Sequence, residues 1–292
     1  MKPNQRRSYA DRIERAVELL ETRVQGGEAP SLAELAAAAA LSEYHFHRIF
    51  RLMTGETVGQ AVQRVRLARS VGVLAAGEPI TAAAGAGGYA TSQAYARALR
   101  SRGGTSATAA RTSGGLQDLA ARFRNPAAAS SSAPLHLEVV SVEPLRLLAL
   151  RNVGDYAELN QGYTELFSLV LEQMPPDALQ GIYGIPYDDP RFTPAAECRF
   201  DCALAVGTVG RAEEPLRELR LQSGSYVCLR HFGDYDALHD SIDLAYAGAL
   251  AALERTPADA PLFVHYLDDP EEVPEAELRS DIYLPVEPEG PA

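Results

Sequence analysis

The chain has 292 residues, of which 46% are hydrophobic, and a formal net charge of −12. This length accommodates two domains of ordinary size, each with its own core. No window approaches about 18 uninterrupted apolar residues, and no apolar stretch follows the basic start, which argues against membrane insertion and export. We therefore expect a cytoplasmic protein that has no membrane partner.

The charge is divided unevenly along the chain. Residues 1–125 hold 17 Lys and Arg against 10 Asp and Glu, a net charge of +7; residues 126–292 hold the other 10 against 29, a net charge of −19. A basic head joined to an acidic body is typical of a nucleic-acid-binding domain fused to a domain that repels phosphate.

The basic half begins with a pattern of two short helices separated by a turn. Ser31, followed three residues later by Glu34, has the spacing of a capping box and begins one helix. Ser42 is the predicted N-cap of the next helix. An apolar stripe at helical spacing follows: Phe46, Ile49 and Phe50. The opposite face carries the residues that we predict to read DNA: Tyr44, His47, Arg48 and Arg51.

Residues 8–111 resemble an AraC-type DNA-binding domain. The resemblance implies an all-α domain of seven helices, in which two helix-turn-helix units are joined by one long helix. It rests on six segments, Ser8–Arg15, Leu35–Ala36, Leu41–Ser42, His45–Phe50, Gly55–Val58 and Arg64–Ala68.

The second helix-turn-helix unit departs from the family pattern. Ala83 and Ala84 stand where the family has a β-branched residue followed by Ala, and Gly85 lies inside the presumed helix, where Gly costs about 1 kcal/mol relative to Ala. We therefore expect this unit to be the softer one. Its predicted reading helix follows the cap Thr91 and presents Ser92, Gln93 and Arg97 to DNA.

Residues 112–134 are rich in Ala, Ser and Gly and show little periodicity, which is the composition of a flexible linker. The three cysteines all follow this stretch and lack the spacing of a metal site, so we predict reduced thiols, no metal and no cofactor.

The acidic half contains one pattern twice, at a spacing of 79 to 80 residues. Each copy is predicted to fold as a β-α-β-β unit, so the pair forms an antiparallel sheet flanked by two helices, with a cleft between the copies. Three landmarks recur in one register: Arg151–Tyr156 as Arg230–Tyr235, Asp188–Pro190 as Asp268–Pro270, and Glu197–Asp201 as Glu277–Asp281.

Residues 135–287 resemble a GyrI-like effector-binding domain, on the Gly-Asp-Tyr and Asp-Asp-Pro turns and the terminal segment Asp281–Val286. The resemblance implies a cleft for flat, often cationic molecules, with a buried glutamate that Val264 replaces here. A neutral aromatic ligand and a cationic one therefore both stay open. The predicted ligand site consists of Val264 and four aromatics, Tyr163, Tyr183, Tyr246 and Tyr266; core packing is the alternative role of each aromatic.

These patterns predict a transcriptional regulator that binds double-stranded promoter DNA and senses a small organic molecule; RNA polymerase is a further candidate partner. Because the sequence has no nucleophile motif, phosphate loop or metal spacing, we predict no enzymatic activity. The alternative is a resistance protein that sequesters or hydrolyses a small molecule and retains a decaying DNA-binding head.

Overall fold

The computed structural model describes residues 3–112, 137–270 and 272–288. Two compact units make up the chain, a helical unit that begins at Arg6 and an α+β unit that contains the residues from 137 onward. Residues 113–134 of the predicted linker lie outside the described residues. None of the helices in the described ranges is long and apolar enough to cross a membrane.

The helical unit has the predicted double helix-turn-helix arrangement, with a long helix between the two pairs. Its helices are α1 (Pro3–Gly26), α2 (Leu32–Ala38), α3 (Glu43–Thr54), α4 (Val58–Ala75), α5 (Ile80–Ala86), α6 (Ser92–Gly103) and α7 (Ala107–Thr112).

Local capping explains where several of these helices begin and end. The Ser31 side chain accepts from the Glu34 N–H, and the Glu34 carboxylate accepts from the Ser31 N–H, so the predicted capping box is confirmed. Ser42 has the extended backbone of an N-cap, but its side chain accepts no cap hydrogen bond, so that part of the prediction is wrong. Gly55 ends α3 with a φ of 74°, a conformation that glycine adopts without strain.

The second helix-turn-helix unit packs around a fully buried tyrosine. Tyr95 and Leu99 of α6 pack with α4 and with Ala83 and Ala84 of α5. Ser70 of α4 donates a hydrogen bond to the Tyr95 hydroxyl at 3.1 Å, which satisfies the polar end of the ring inside the core. The large ring thus fills space that the small alanines leave.

The α+β unit is a single eight-stranded antiparallel sheet in the order β1-β6-β8-β7-β3-β4-β2-β5, with two helices. The strands are β1 (Leu137–Val142), β2 (Leu145–Val153), β3 (Gly181–Pro186), β4 (Arg199–Ala205), β5 (Arg217–Leu221), β6 (Gly224–Phe232), β7 (Phe263–Tyr266) and β8 (Arg279–Pro285). The helices are α8 (Leu159–Leu171) and α9 (Leu238–Ala251).

Each strand in one half of the sheet has its equivalent from the other copy at the mirrored position of the other half: β2 corresponds to β6, β3 to β7 and β4 to β8. The predicted duplication is therefore confirmed. The structure adds one strand to each copy, β1 to the first and β5 to the second. Each added strand pairs with the other copy: β1 with β6, and β5 with β2. The two halves of the sheet join where β3 pairs with β7, and the exchanged edge strands link the copies further.

The two faces of the sheet differ in what covers them. Helices α8 and α9 pack on one face. On the other face, residues from both edge strands pack into the same cluster as Phe263 from the middle of the sheet, because the sheet curls. Side chains alternate between these faces along each strand, and this alternation decides which residues reach the space between the helices.

Candidate functional site: a ligand cleft and two DNA-reading helices

A cleft of about 1140 Å³ opens on the helix-bearing face of the sheet, lined by residues of both copies. Its walls come from α8, α9 and the Gly-Asp-Tyr turns that precede them, and its floor from β3, β7 and β4. Six phenylalanine and tyrosine rings line it: Tyr156, Tyr163, Phe167, Phe200, Tyr235 and Tyr266. Such an apolar concave surface with a few polar groups is typical of a small-molecule site.

The two Gly-Asp-Tyr turns position a tyrosine on each side of the cleft. Asp155 and Asp234 each accept a hydrogen bond from the N–H two residues further on and so begin the short helical turn that holds the tyrosine. The Tyr156 hydroxyl donates to the backbone oxygen of Arg199 at 2.6 Å, and the Tyr235 hydroxyl donates to that of Asp268 at 3.1 Å. Because the hydroxyls are bound to the backbone, these tyrosines line the cleft mainly with the apolar surface of their rings.

Two further tyrosines meet at the floor. The Tyr163 hydroxyl donates to the backbone oxygen of Tyr183 at 2.8 Å. Its ring packs edge to face with Tyr266, with centroids 5.9 Å apart. Burial raises the pKa of Tyr163 and of Tyr266 well above that of an exposed phenol, so both rings are neutral.

The middle of the floor is apolar and tightly packed. Val264 of β7 is 1% exposed and lies opposite Gly184 of β3. A Cβ added at Gly184 would lie 2.5 Å from the Phe200 ring and 2.9 Å from the Tyr266 hydroxyl. Only a glycine therefore leaves room for these two aromatic side chains at the floor.

Of the five residues in the predicted ligand site, Tyr163, Val264 and Tyr266 line the cleft, and the placement of the other two was wrong. Tyr183 points to the opposite face of the sheet, where its ring stacks on His265 with centroids 4.5 Å apart. Neighbouring positions of a strand face opposite ways, so Ile182 reaches the cleft and Tyr183 does not. Tyr246 of α9 is fully buried in the core and does not line the cleft.

Several lining residues were not predicted from the sequence, although the duplication pointed to two of them. Tyr156 and Tyr235 are the last residues of the repeated Gly-Asp-Tyr turns, so their recurrence was the available signal. Phe167 and Phe200 carried no such signal, because buried aromatics at regular spacing are usually core. His239 of α9 also lines the cleft and stacks on Tyr156, with centroids 5.9 Å apart.

The rim of the cleft is acidic. A hydrogen-bonded pair with Arg279 lowers the pKa of Asp268, which keeps that carboxylate ionised. Arg191 is the one lysine or arginine among the described lining residues. Six carboxylates line the cleft: Asp155, Asp234, Asp236, Asp268, Asp269 and Glu275.

Beside its carboxylates and His239, the described cleft lining offers none of the commonest nucleophilic side chains. Serine, cysteine and lysine are absent from the described lining residues. The Cys202 thiol is fully buried beneath α8, and burial raises its pKa to about 12, so it is protonated near neutral pH. Within the described residues, no cluster of three His, Cys, Asp or Glu side chains could hold a metal ion.

On the first reading helix, α3, not all of the side chains predicted to contact DNA are exposed to solvent. Arg48 is 3% exposed, and its guanidinium lies 5.4 Å from the centroid of the Tyr44 ring, so the expectation that its side chain faces a DNA groove is wrong for this structure. Helical periodicity gives the direction in which a side chain leaves the helix, but it does not show what packs over that side chain. Tyr44, His47 and Arg51 are half-buried.

On the second reading helix, α6, two of the three side chains predicted to contact DNA are exposed to solvent. The Thr91 side chain accepts from the Ala94 N–H and caps the helix as predicted. Gln93 and Arg97 are exposed and lie one turn apart, while Ser92 at the first position is half-buried. Side chains four residues apart lie on one face of a helix, so Gln93 and Arg97 point the same way.

The family model of the GyrI-like small molecule binding domain matches residues 136–287. This chain belongs to the GyrI-like family. A helix-turn-helix domain matches residues 35–113, in agreement with the AraC-type resemblance of the basic half. Both predicted resemblances are therefore confirmed, and with them the succession of an α-helical head and an α+β body.

Individual relatives match parts of this chain. The regulatory protein Ada of Salmonella typhimurium is 43% identical over 88 residues, which are 30% of this chain and 24% of Ada. The probable transcriptional regulator YgiV of Escherichia coli K12 is 29% identical over 111 residues, 36% of this chain and 66% of YgiV. The chain thus spans about a quarter of Ada and just under two thirds of YgiV. The crystal structure of the EcmrR C-terminal domain has a TM-score of 0.43 and 17% identity, covering 52% of this chain and 98% of that domain.

Proposed function

We propose that this protein is a transcriptional regulator in which residues 8–111 bind promoter DNA and residues 135–287 bind a small aromatic molecule. The observation that carries the ligand assignment is the cleft itself. Tyr156, Tyr163 and Tyr235 bind backbone oxygens through their hydroxyls, so what they contribute to the cleft lining is mainly aromatic ring surface. Ring faces recognise flat apolar or cationic molecules rather than hydrogen-bonding ones.

The chemistry of the lining favours binding over catalysis. Covalent hydrolysis needs a nucleophile with a base beside it. Among the described lining residues the hydroxyl of Thr164 donates to the backbone oxygen of Asn160, and the nearby Cys202 thiol is protonated. This lining supports the proposal that the protein is not an enzyme.

The DNA-binding role rests on the helical unit. Gln93 and Arg97 on α6 are exposed and can form paired hydrogen bonds with the edges of adenine and guanine. Tyr95 and Leu99 are fully buried beneath them, which supports a folded reading unit over a decaying head. The proposed partners are therefore double-stranded DNA and a small organic effector, with RNA polymerase as a further partner of a regulator bound at a promoter.

A fluorescence titration with Nile red, an uncharged flat dye, tests the ligand assignment. Replacing Tyr235 by Leu removes one ring face and should weaken Nile red binding about five- to tenfold, as the loss of an aromatic contact does. Phe192→Leu is the matched control, because Phe192 is an exposed aromatic of a neighbouring turn and does not line the cleft. Equal affinities of the wild type and both variants would contradict the assignment.

A further inference from the structure

Arg191 joins the two repeats at one end of the cleft. It follows the Asp-Asp-Pro turn of the first repeat, and its Nε and Nη2 donate to the Asp189 carboxylate at 2.9 and 2.6 Å. The same guanidinium reaches α9 of the second repeat, where Nη1 lies 2.9 Å from Asp240 and Nη2 lies 3.0 Å from Asp243. One side chain thus links a loop of one repeat to a helix of the other.

Burial ranks these three ion pairs. The Asp189 side chain is 1% exposed, Asp243 is 27% exposed and Asp240 is 81% exposed. Water and salt screen an exposed ion pair much more than a buried one. Asp189 therefore orients the guanidinium, Asp243 is its main contact on the helix, and Asp240 adds little.

A second arginine–aspartate pair beside each Asp-Asp-Pro turn is the same in both repeats. Arg199 donates to both carboxylate oxygens of Asp188 in the first repeat, at 2.8 and 2.9 Å. Arg279 does the same with Asp268 in the second repeat, at 2.9 and 2.7 Å. Both Asp-Asp-Pro turns are therefore fixed by a pair of their own, independently of Arg191.

The bridge from Arg191 to α9 breaks that symmetry. The duplication places Glu271 at the position equivalent to Arg191, and it places Gln161 and Thr164 at those of Asp240 and Asp243. The residue types at the opposite end thus cannot form this arginine–carboxylate bridge. The fold itself does not require the bridge, because the other repeat forms the same elements without the charges for it.

The bridge also sits where it can control the cleft. His239 and Ile242 of α9 line the cleft, and each is the chain neighbour of a carboxylate that Arg191 binds. A contact that holds Asp240 and Asp243 therefore also holds the cleft wall that these two residues form.

We propose that Arg191 is a latch that fixes α9 against the Asp-Asp-Pro turn and so restricts ligand entry at that end of the cleft. This inference rests on the proposed function, since it concerns the same cleft. When α9 moves away from the turn, this end of the cleft widens for a bulky aromatic molecule, and Arg191 releases Asp243 and Asp240 while it stays paired with Asp189.

The latch is opened most conservatively by the double substitution Asp240→Asn with Asp243→Asn, which leaves the buried Arg191–Asp189 pair intact. Stopped-flow fluorescence with Nile red should show association about two- to fivefold faster than in the wild type, the range expected for losing a partly exposed ion pair. Nile red is used because it is uncharged, so the negative charges that the substitutions remove do not change the electrostatic attraction between the dye and the cleft. Asp236→Asn with Glu275→Gln is the matched control, since it removes two lining carboxylates that do not pair with Arg191.

Hydrogen exchange of the α9 amides gives a second readout that needs no ligand. The latch variant should exchange faster than the wild type over residues 240–246, and the control should not. Faster exchange without any Nile red binding would sustain the latch and refute the proposed ligand cleft. Unchanged exchange in the latch variant, or equal association rates in all three proteins, would overturn the latch. Arg191→Met, where it folds, should reproduce the faster exchange.

Discussion

Gly184 and Val264 are cross-strand partners at the centre of the cleft floor, where β3 and β7 meet. They are 80 residues apart, the spacing of the duplication, so the pseudo-two-fold axis passes between them. Neither carries a polar side chain, and Val264 is almost fully buried. The middle of the floor thus lacks the carboxylate that the family resemblance implies at position 264.

Restoring that carboxylate should change the charge preference of the cleft. Val264→Glu places a desolvated negative charge on the floor, and a cation bound beside it would recover the cost of desolvation. We expect rhodamine 6G, a cationic dye, to bind the variant about tenfold more tightly than the wild type, while Nile red gains nothing. Calorimetric titration of both proteins with both dyes measures the difference.

Val264→Gln is the control for size and polarity. If the glutamine variant gains as much affinity for rhodamine 6G as the glutamate variant, the gain does not come from the charge. A wild type that already prefers rhodamine 6G strongly would show that the acidic rim supplies the negative charge.

The buried thiols should be unreactive in the folded protein. Burial raises the pKa of Cys202 to about 12 and that of Cys228 to about 11, both above the ordinary value of 9.0. A raised thiol pKa stabilises the fold below pH 9, and this stabilisation is lost as the pH rises through the folded pKa values. Iodoacetamide at pH 8 should therefore label these thiols only after urea unfolds the protein, as intact mass spectrometry would show. Rapid labelling of the native protein would contradict their burial.

The parts of the fold that repeat in the sequence were predictable. Both Gly-Asp-Tyr turns, both Asp-Asp-Pro turns and the strands beside them follow from matched residues in one register. Strands β1 and β5 were not predicted, because each pairs with the other copy, and such a pairing leaves no local pattern.

The candidate site was only partly predictable. Tyr163 and Tyr266 line the cleft as predicted. The prediction that Tyr183 lines it was wrong, because the sequence does not show which way a residue of a buried strand points when both faces of the sheet are apolar. Arg191 could not be foreseen, since its partners on α9 follow it by about 50 residues and meet it only through the packing of the two repeats.

DNA binding should depend on the exposed face of α6. Arg97→Ala should weaken binding to a duplex selected from a random library by about 1–3 kcal/mol, the loss expected for one base-reading arginine. Arg23→Ala is the matched control, because it removes an equal charge from a residue that pairs with Glu28 and Glu34 on the protein itself. Fluorescence anisotropy with a labelled duplex compares the two. Equal losses would mean that α6 contributes charge and no base reading.

A regulator of this kind requires that a ligand in the cleft changes DNA binding. Surface plasmon resonance on the immobilised selected duplex, with and without saturating Nile red, measures this coupling. If the cleft and the reading helices are coupled, the dissociation constant for DNA should change at least about fivefold, and Tyr266→Leu, which alters the cleft, should abolish the change. By linkage, DNA should shift the affinity for Nile red by the same factor. An unchanged DNA affinity with Nile red bound in the cleft would show that the cleft does not control the DNA-binding unit.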